Sequence, residues 1–395
     1  MKNITNKIEE LLNKGVVISD PNNVHIGDEV DTGSISGNGV MIYPGCKING
    51  SSVLILEKAK IGYEGPVTLE NCQVGPEVNI KSGFFKEAVF LKGASIGSGS
   101  HVREGTILEE EVSIAHTVGL KQTILFPYVT LGSLINFCDC FMSGGTGRKD
   151  HSEVGSSYIH FNYTPGQDKA TPSLLGDVPK GVMLKQRPIF LGGQGGLVGP
   201  CRIAFGTTIA AGTICRKDEL RPGRLIFGGP AGSGNIPYTP GDNRNIKKIL
   251  TNNIVYISNL TALKHWYSYV RHQFISDSFP DALIDGLNKR LDSAISERIK
   301  RLKEFYEING SIEPLKGRWP EFENCFISTY GIEETIPLRD SFLEIIISGI
   351  VRYGKEYLTV IKKLNDDESD IGTEWLQKIV NIKTAEATRI LVPGL

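Results

Sequence analysis

From Ile96 onward, aliphatic residues fall at every sixth position, Val102, Leu108, Ile114 and Leu120, and the interval returns at Leu191, Leu197, Ile203 and Ile209. Small and turn-forming residues fill the gaps, as in IGSGSHVREGTILEEEVSIAHT and LVGPCRIAFGTTIAAGT. A helical stripe recurs at three and four and a half-buried strand at two, so neither produces this interval. Sixfold spacing punctuated by glycine is the pattern of a hexapeptide parallel β-helix, whose flat strands stack about 4.8 Å apart around the repeated aliphatics. Weaker traces of the beat occur at Ile42 and Ile48, Ile61 and Val67, and Val74 and Ile80. The strongest part of the array predicts a β-helix from about Val24 to Cys215.

Different patterns flank the array. NITNKIEELLNKG sets Ile4, Ile8, Leu11 and Leu12 on one helical face and ends at Gly15, which predicts a helix capping the open first coil, where bare strand edges invite aggregation. Downstream, FGGPAGSGNIPYTPGDN breaks the beat. Leu283, Leu287, Leu291, Ile295, Ile299 and Leu302 then recur at four and three, and the segment at 341–364 gives a second helix. The segment NIKKILTNNIVYISNLTALKHWYSYVRHQFI supplies a longer or broken helix before them, in which His265, Trp266, Tyr267, Arg271 and His272 are read as core and not as a binding patch. The expected division is an N-terminal cap at 1–20, a β-helix at 21–226 with a loop extruded at about 164–188, a Gly/Pro linker at 227–242 and an α-helical domain at 243–395, packed separately as a cap.

Charge excludes little but gives no field: 43 basic and 44 acidic residues leave a net charge of -1, against bulk attraction to nucleic acid or a membrane surface. No apolar run is long enough to span a bilayer, and seven cysteines without a secretory signal fit a reduced cytoplasmic compartment. Cys138 and Cys140, taken as sharing one face of a strand, have no second Cys/His pair at zinc spacing; core packing is favoured and no metal is expected.

Chemistry is expected where the beat fails. YIHFNYTPGQDKAT, at 158–171, places His160, Asn162, Tyr163, Asp168 and Lys169 in a proline-broken stretch, and long loops held between ordered coils tend to be functional. This stretch, with IFLGGQGGLVGPCRIAFGTTIAAGTICRKD after it, resembles the acetyltransferase half of bacterial N-acetylglucosamine-1-phosphate uridyltransferases. The resemblance spans roughly 24–220 and is specific from about 154. It implies a left-handed β-helix, an acyl-coenzyme A cosubstrate, acetyl-coenzyme A by preference, and a homotrimer with its cleft between neighbouring β-helices.

The resemblance also implies roles. Asn162 and Tyr163 match an Asn-Tyr pair that meets the sugar phosphate and the acyl end of the coenzyme, and Lys169 lies one place beyond the family's phosphate-binding lysine. Gly193, Ala210 and Ala211 match positions lining the coenzyme groove, and Arg216 and Lys217 follow the last coil, where its phosphates are met. Two departures stand out. The family's histidine segment aligns near Asn136 to Asp139, which holds no histidine, leaving His160, with His151 as the other candidate, for the general base. Nothing matches the uridyltransferase signature, so nucleotidyl transfer is not expected. The expected function is acyl transfer to an amino-sugar phosphate or nucleotide sugar. The alternative is a non-catalytic sugar-nucleotide-binding or scaffolding β-helix that has lost the family's histidine.

Overall fold

The computed structural model describes residues 6–163, 168–228, 245–308, 318–328 and 331–391. Its strands, mostly of two or three residues, form three parallel sheets. Sheet A runs from Val17–Ile18 to Leu225–Ile226, sheet B from His25–Ile26 to Ile214–Cys215, and sheet C from Leu54–Ile55 to Arg202–Ile203. The sixfold beat maps directly onto this geometry. Ile96, Val102 and Leu108 lie on sheets A, B and C of one coil, and Ile114 and Leu120 open the next.

Each sheet presents one residue per coil inward. On sheet A the interior column runs Ile80, Ile96, Ile114, Leu131, Val154, Leu191 and Ile209 in register. α1 (Asn6–Lys14) places the buried Ile8 and Leu11 in the same core, covering the first coil as expected. Corners between sheets B and C carry a left-handed residue in successive coils, Asn71, Glu87, Gly105, Gln122 and Asp139, so that the chain turns sharply without lengthening.

The extruded loop expected at about 164–188 is not one insertion. Ser173–Leu175 is a sheet C strand paired with Cys140–Met142 and Arg202–Ile203, and Leu175 continues the interior column. The beat was hidden because extra residues precede this strand and a short helix, α2 (Val178–Gly181), follows it. Cys138 and Cys140 likewise do not share a strand face. Asp139 turns the corner between them, leaving Cys138 half-buried on sheet B and Cys140 buried on sheet C. Of the Gly/Pro linker expected at 227–242, all but Phe227 and Gly228 lies outside the described residues.

The C-terminal region consists of α3 (Ile246–His265), α4 (Asp281–Ile308), α5 (Trp319–Ile327), α6 (Ile336–Tyr353), α7 (Tyr357–Lys363) and α8 (Asp366–Leu391). Trp266, Tyr267 and Arg271 are buried in it, in agreement with the core reading, whereas His265 is half-buried and His272 exposed. It does not pack as a separate unit. Outward residues of sheet C, among them Val89, Ile107, Ile124 and Phe141, share one apolar cluster with the helices. Polar clamps reinforce the seam. Arg271 ion-pairs with Glu110 where both are buried, Tyr267 donates to Glu109, and Arg290 reaches Glu87 at 3.3 Å.

Candidate functional site

Two regions carry polar chemistry: the bare outer face of sheet B, and the stretch at 158–171. On sheet B the register stacks outward residues Phe84, His101, Gly119, Asn136 and Ile159 in one column. Beside it Lys121 pairs in register with Cys138, and the Arg103 amide, one coil earlier, donates to the Leu120 carbonyl. Gly119 offers no side chain between His101 and Asn136, and a groove of about 560 Å³ opens there, bordered by Arg103, Leu134, Cys138 and Ile159. Lys121 pairs with Glu104 at 2.7 Å, whereas Arg103 makes no ion pair among the described residues. The Cys138 thiol is pushed up by burial and by the neighbouring Asp139 carboxylate, which keeps it protonated and unreactive.

His160 lies elsewhere. It is paired to Leu197 within the interior column of sheet B, is 2% exposed, and its Nε2 bonds the Ser173 hydroxyl at 2.8 Å. Nδ1 has no partner. Burial holds the imidazole down at about 4, only partly opposed by the Asp139 carboxylate, so it stays neutral. An inward, enclosed ring has no open side toward a substrate amine. His151 is half-buried beside Arg148, whose carbonyl meets its Nδ1 at 2.9 Å.

The remaining residues of the stretch are drawn toward the helices. Asn162 makes a long 3.5 Å hydrogen bond to Asp139, which pairs at 2.7 Å with the buried Arg298 of α4. Arg298 also donates to the Lys169 carbonyl at 3.3 Å, and Asn253 of α3 donates to the Ala170 carbonyl at 2.9 Å. Asn259 accepts from the Val178 amide at 2.9 Å. The segment thus forms the seat on which α3 and α4 dock. Tyr163, 58% exposed, and the Lys169 side chain face solvent, while Asp168 is buried.

Residues expected to hold the coenzyme fall on opposite edges of sheet B. Gly193, Ala210 and Ala211 lie at the corner from sheet A, and the exposed Arg216 and Lys217 at the corner toward sheet C, where Lys248 donates to the Arg216 carbonyl at 3.1 Å. Asn162 shares that second edge but sits two coils earlier, about 10 Å away. Sequence reasoning missed His101, Arg103 and Lys121. Their signal was available: polar residues at outward positions of consecutive, cleanly spaced coils. Among the described residues, no group of three or more His, Cys, Asp or Glu is placed to hold a metal ion, and no helix is long and apolar enough to cross a membrane.

Fold and repeat together define a hexapeptide-repeat β-helix protein with an appended helical layer. The chain is 29% identical over 236 residues to the bifunctional protein GlmU of Pelobacter propionicus, covering 60% of this chain and 44% of that protein. It is 30% identical over 212 residues to GlmU of Thermotoga maritima, covering 54% and 42%. For GlmU of Thermosipho melanesiensis the identity is 32% over 213 residues, covering 54% and 42%. The chain therefore spans less than half the length of these curated relatives. A solved structure of LpxA from Acinetobacter baumannii is 15% identical, with 75% of this chain and 94% of that one covered and a TM-score of 0.21, an overlap too weak to bear on function. No family model matches the chain.

Proposed function

We propose that the protein transfers an acyl group, acetyl by preference, from a coenzyme A thioester to an amino group of a sugar phosphate or nucleotide sugar. The observation that carries this reading is the sheet B groove, where Arg103 stands beside His101 and Asn136. A guanidinium fork suits a phosphate. In this reading His101, which faces the groove, serves as the base in place of the enclosed His160. It takes the proton as the amine nitrogen attacks the thioester carbonyl; the C–N bond forms, the C–S bond breaks, and the departing thiolate takes up the proton. No metal enters this chemistry. The protein works in the cytoplasm on small molecules.

A homotrimer accompanies the reading, since sheets A and B remain uncovered and expose Ile159, Phe161, Phe190 and Leu225. Sedimentation at micromolar concentration checks it, with a trimer expected. The activity is tested by steady-state assay of acetyl-coenzyme A with glucosamine 1-phosphate: His101→Ala should lower kcat by about 10²–10⁴-fold, and Arg103→Ala should raise the acceptor KM. The inward orientation of His160 favours a second reading, a sugar-nucleotide-binding protein without catalysis. Acceptor binding with no transfer from any coenzyme A thioester would establish it.

A further inference from the structure

α4 follows the corner between sheets B and C almost coil for coil. Gly286 lies against Gln73, Arg290 pairs with Glu87, and Arg298 pairs with Asp139. From Gly286 to Arg298 is twelve residues, about 18 Å at about 1.5 Å per residue. The corners they meet are separated by four coil steps of about 4.8 Å, roughly 19 Å. The helix therefore advances by about three residues for each coil, and the Arg290 and Arg298 clamps fix it along this span.

Between the clamps the contact opens. A polar cleft of about 440 Å³ separates Glu104, Lys121 and Gln122 on the corner from Ser293, Ser296 and Lys300 on α4. Gln122 is 5% exposed and its Oε1 has no hydrogen-bond partner, an unmet need in a site lined by polar groups. Lys300 is exposed and makes no ion pair among the described residues, unlike Arg301, which Glu297 and Glu304 hold at 2.8 Å. This cleft lies beside the sheet B groove: Lys121 lines the cleft, and Cys138, its partner in register on the next coil, borders the groove.

We infer that α4 forms a wall of the acceptor site, and that the cleft receives the hydroxyl-bearing body of a phosphorylated sugar whose amine reaches toward the groove. The inference rests on the acyl-transfer reading for the identity of the ligand. Hydroxyl groups can exchange hydrogen bonds with Ser293 and Ser296, while the Lys300 ammonium supplies a point charge for an anionic substituent. The helical layer then helps to select the acceptor, a task that the β-helix alone leaves to one side.

The test uses the full chain with acetyl-coenzyme A and glucosamine 1-phosphate. Ser296→Trp, which fills the cleft from an exposed helix position, should raise the acceptor KM about tenfold or more while the thioester KM stays within about twofold. Lys300→Ala should raise the acceptor KM by about three- to tenfold, Lys300→Arg should restore most of it, and Lys303→Ala, the same charge change one turn along, should leave it unchanged. Unchanged acceptor kinetics in Ser296→Trp, in an active and folded protein, overturn the inference and leave the reaction standing. If the wild-type protein transfers nothing, the thermal shift produced by glucosamine 1-phosphate replaces KM as the readout. Loss of that shift in Ser296→Trp supports the cleft while the reaction fails; a shift that survives overturns the cleft, and its absence from wild type overturns both.

Discussion

Sheets B and C are built from the same short parallel strands in the same register, and they differ in what they turn outward. Sheet C presents Val89, Ile107, Ile124 and Phe141, all buried under the helices. Sheet B presents Thr68, Phe84, His101, Gly119 and Asn136. The inward columns are interchangeable, since they fill one core. The outward columns decide what each face meets: an apolar face must be covered and a polar face remains available for a ligand. The helices are therefore the second half of sheet C's hydrophobic core, and their polar edge borders sheet B.

The sharpest way to break this contrast is one substitution made on each face. Ile107→Asp puts a carboxylate into the seam and should cost about 4 kcal/mol or more, whereas Thr68→Asp, on the open face, should stay within about 0.5 kcal/mol in urea unfolding. Similar losses would show that the helices do not depend on sheet C. Next in size, Arg271→Ala leaves Glu110 buried without its partner and should cost about 3–5 kcal/mol. A cost under about 1 kcal/mol would mean that apolar contacts alone hold the seam.

The pH profile gives a smaller effect that reports on the interior of sheet B. His160 is held at about 4 by burial, against an ordinary value of 6.5. The unfolded chain takes up a proton near 6.5 that the folded chain refuses until about 4, so its contribution is complete above 6.5 and is lost as pH falls through that window. The loss should approach about 3 kcal/mol. His160→Leu should flatten this acid limb; an unchanged slope would show that the ring is hydrated. His265, also held at about 4 by burial, leaves a residual slope of the same sign. The smallest effect belongs to the open face: His101→Ala should alter stability by no more than about 0.5 kcal/mol, so that any loss of acyl transfer is chemical.

Much of the fold was legible from the chain. Ile96, Val102 and Leu108 announce one coil because every side of a three-sided solenoid needs one inward aliphatic. The covering of sheet C was also written there, as apolar runs AVF, TIL and CFM at 88–90, 106–108 and 140–142, since a strand apolar on both sides must be buried on both. The candidate site was less legible. His160 drew notice as a titratable residue in an irregular stretch, yet it falls in register with Leu197 and so points inward. Its neighbours Asn162, Lys169 and Ala170 serve the docking of α3 and α4.

The sequence by itself determined the repeat and the helical character of the tail, because these depend on spacing between near neighbours. Only the tertiary structure decided that α4 runs along the corner between sheets B and C and that Arg298 reaches Asp139. Those contacts join residues more than a hundred positions apart, and they line up because three residues of helix and one coil rise by nearly the same distance. No local pattern records that match.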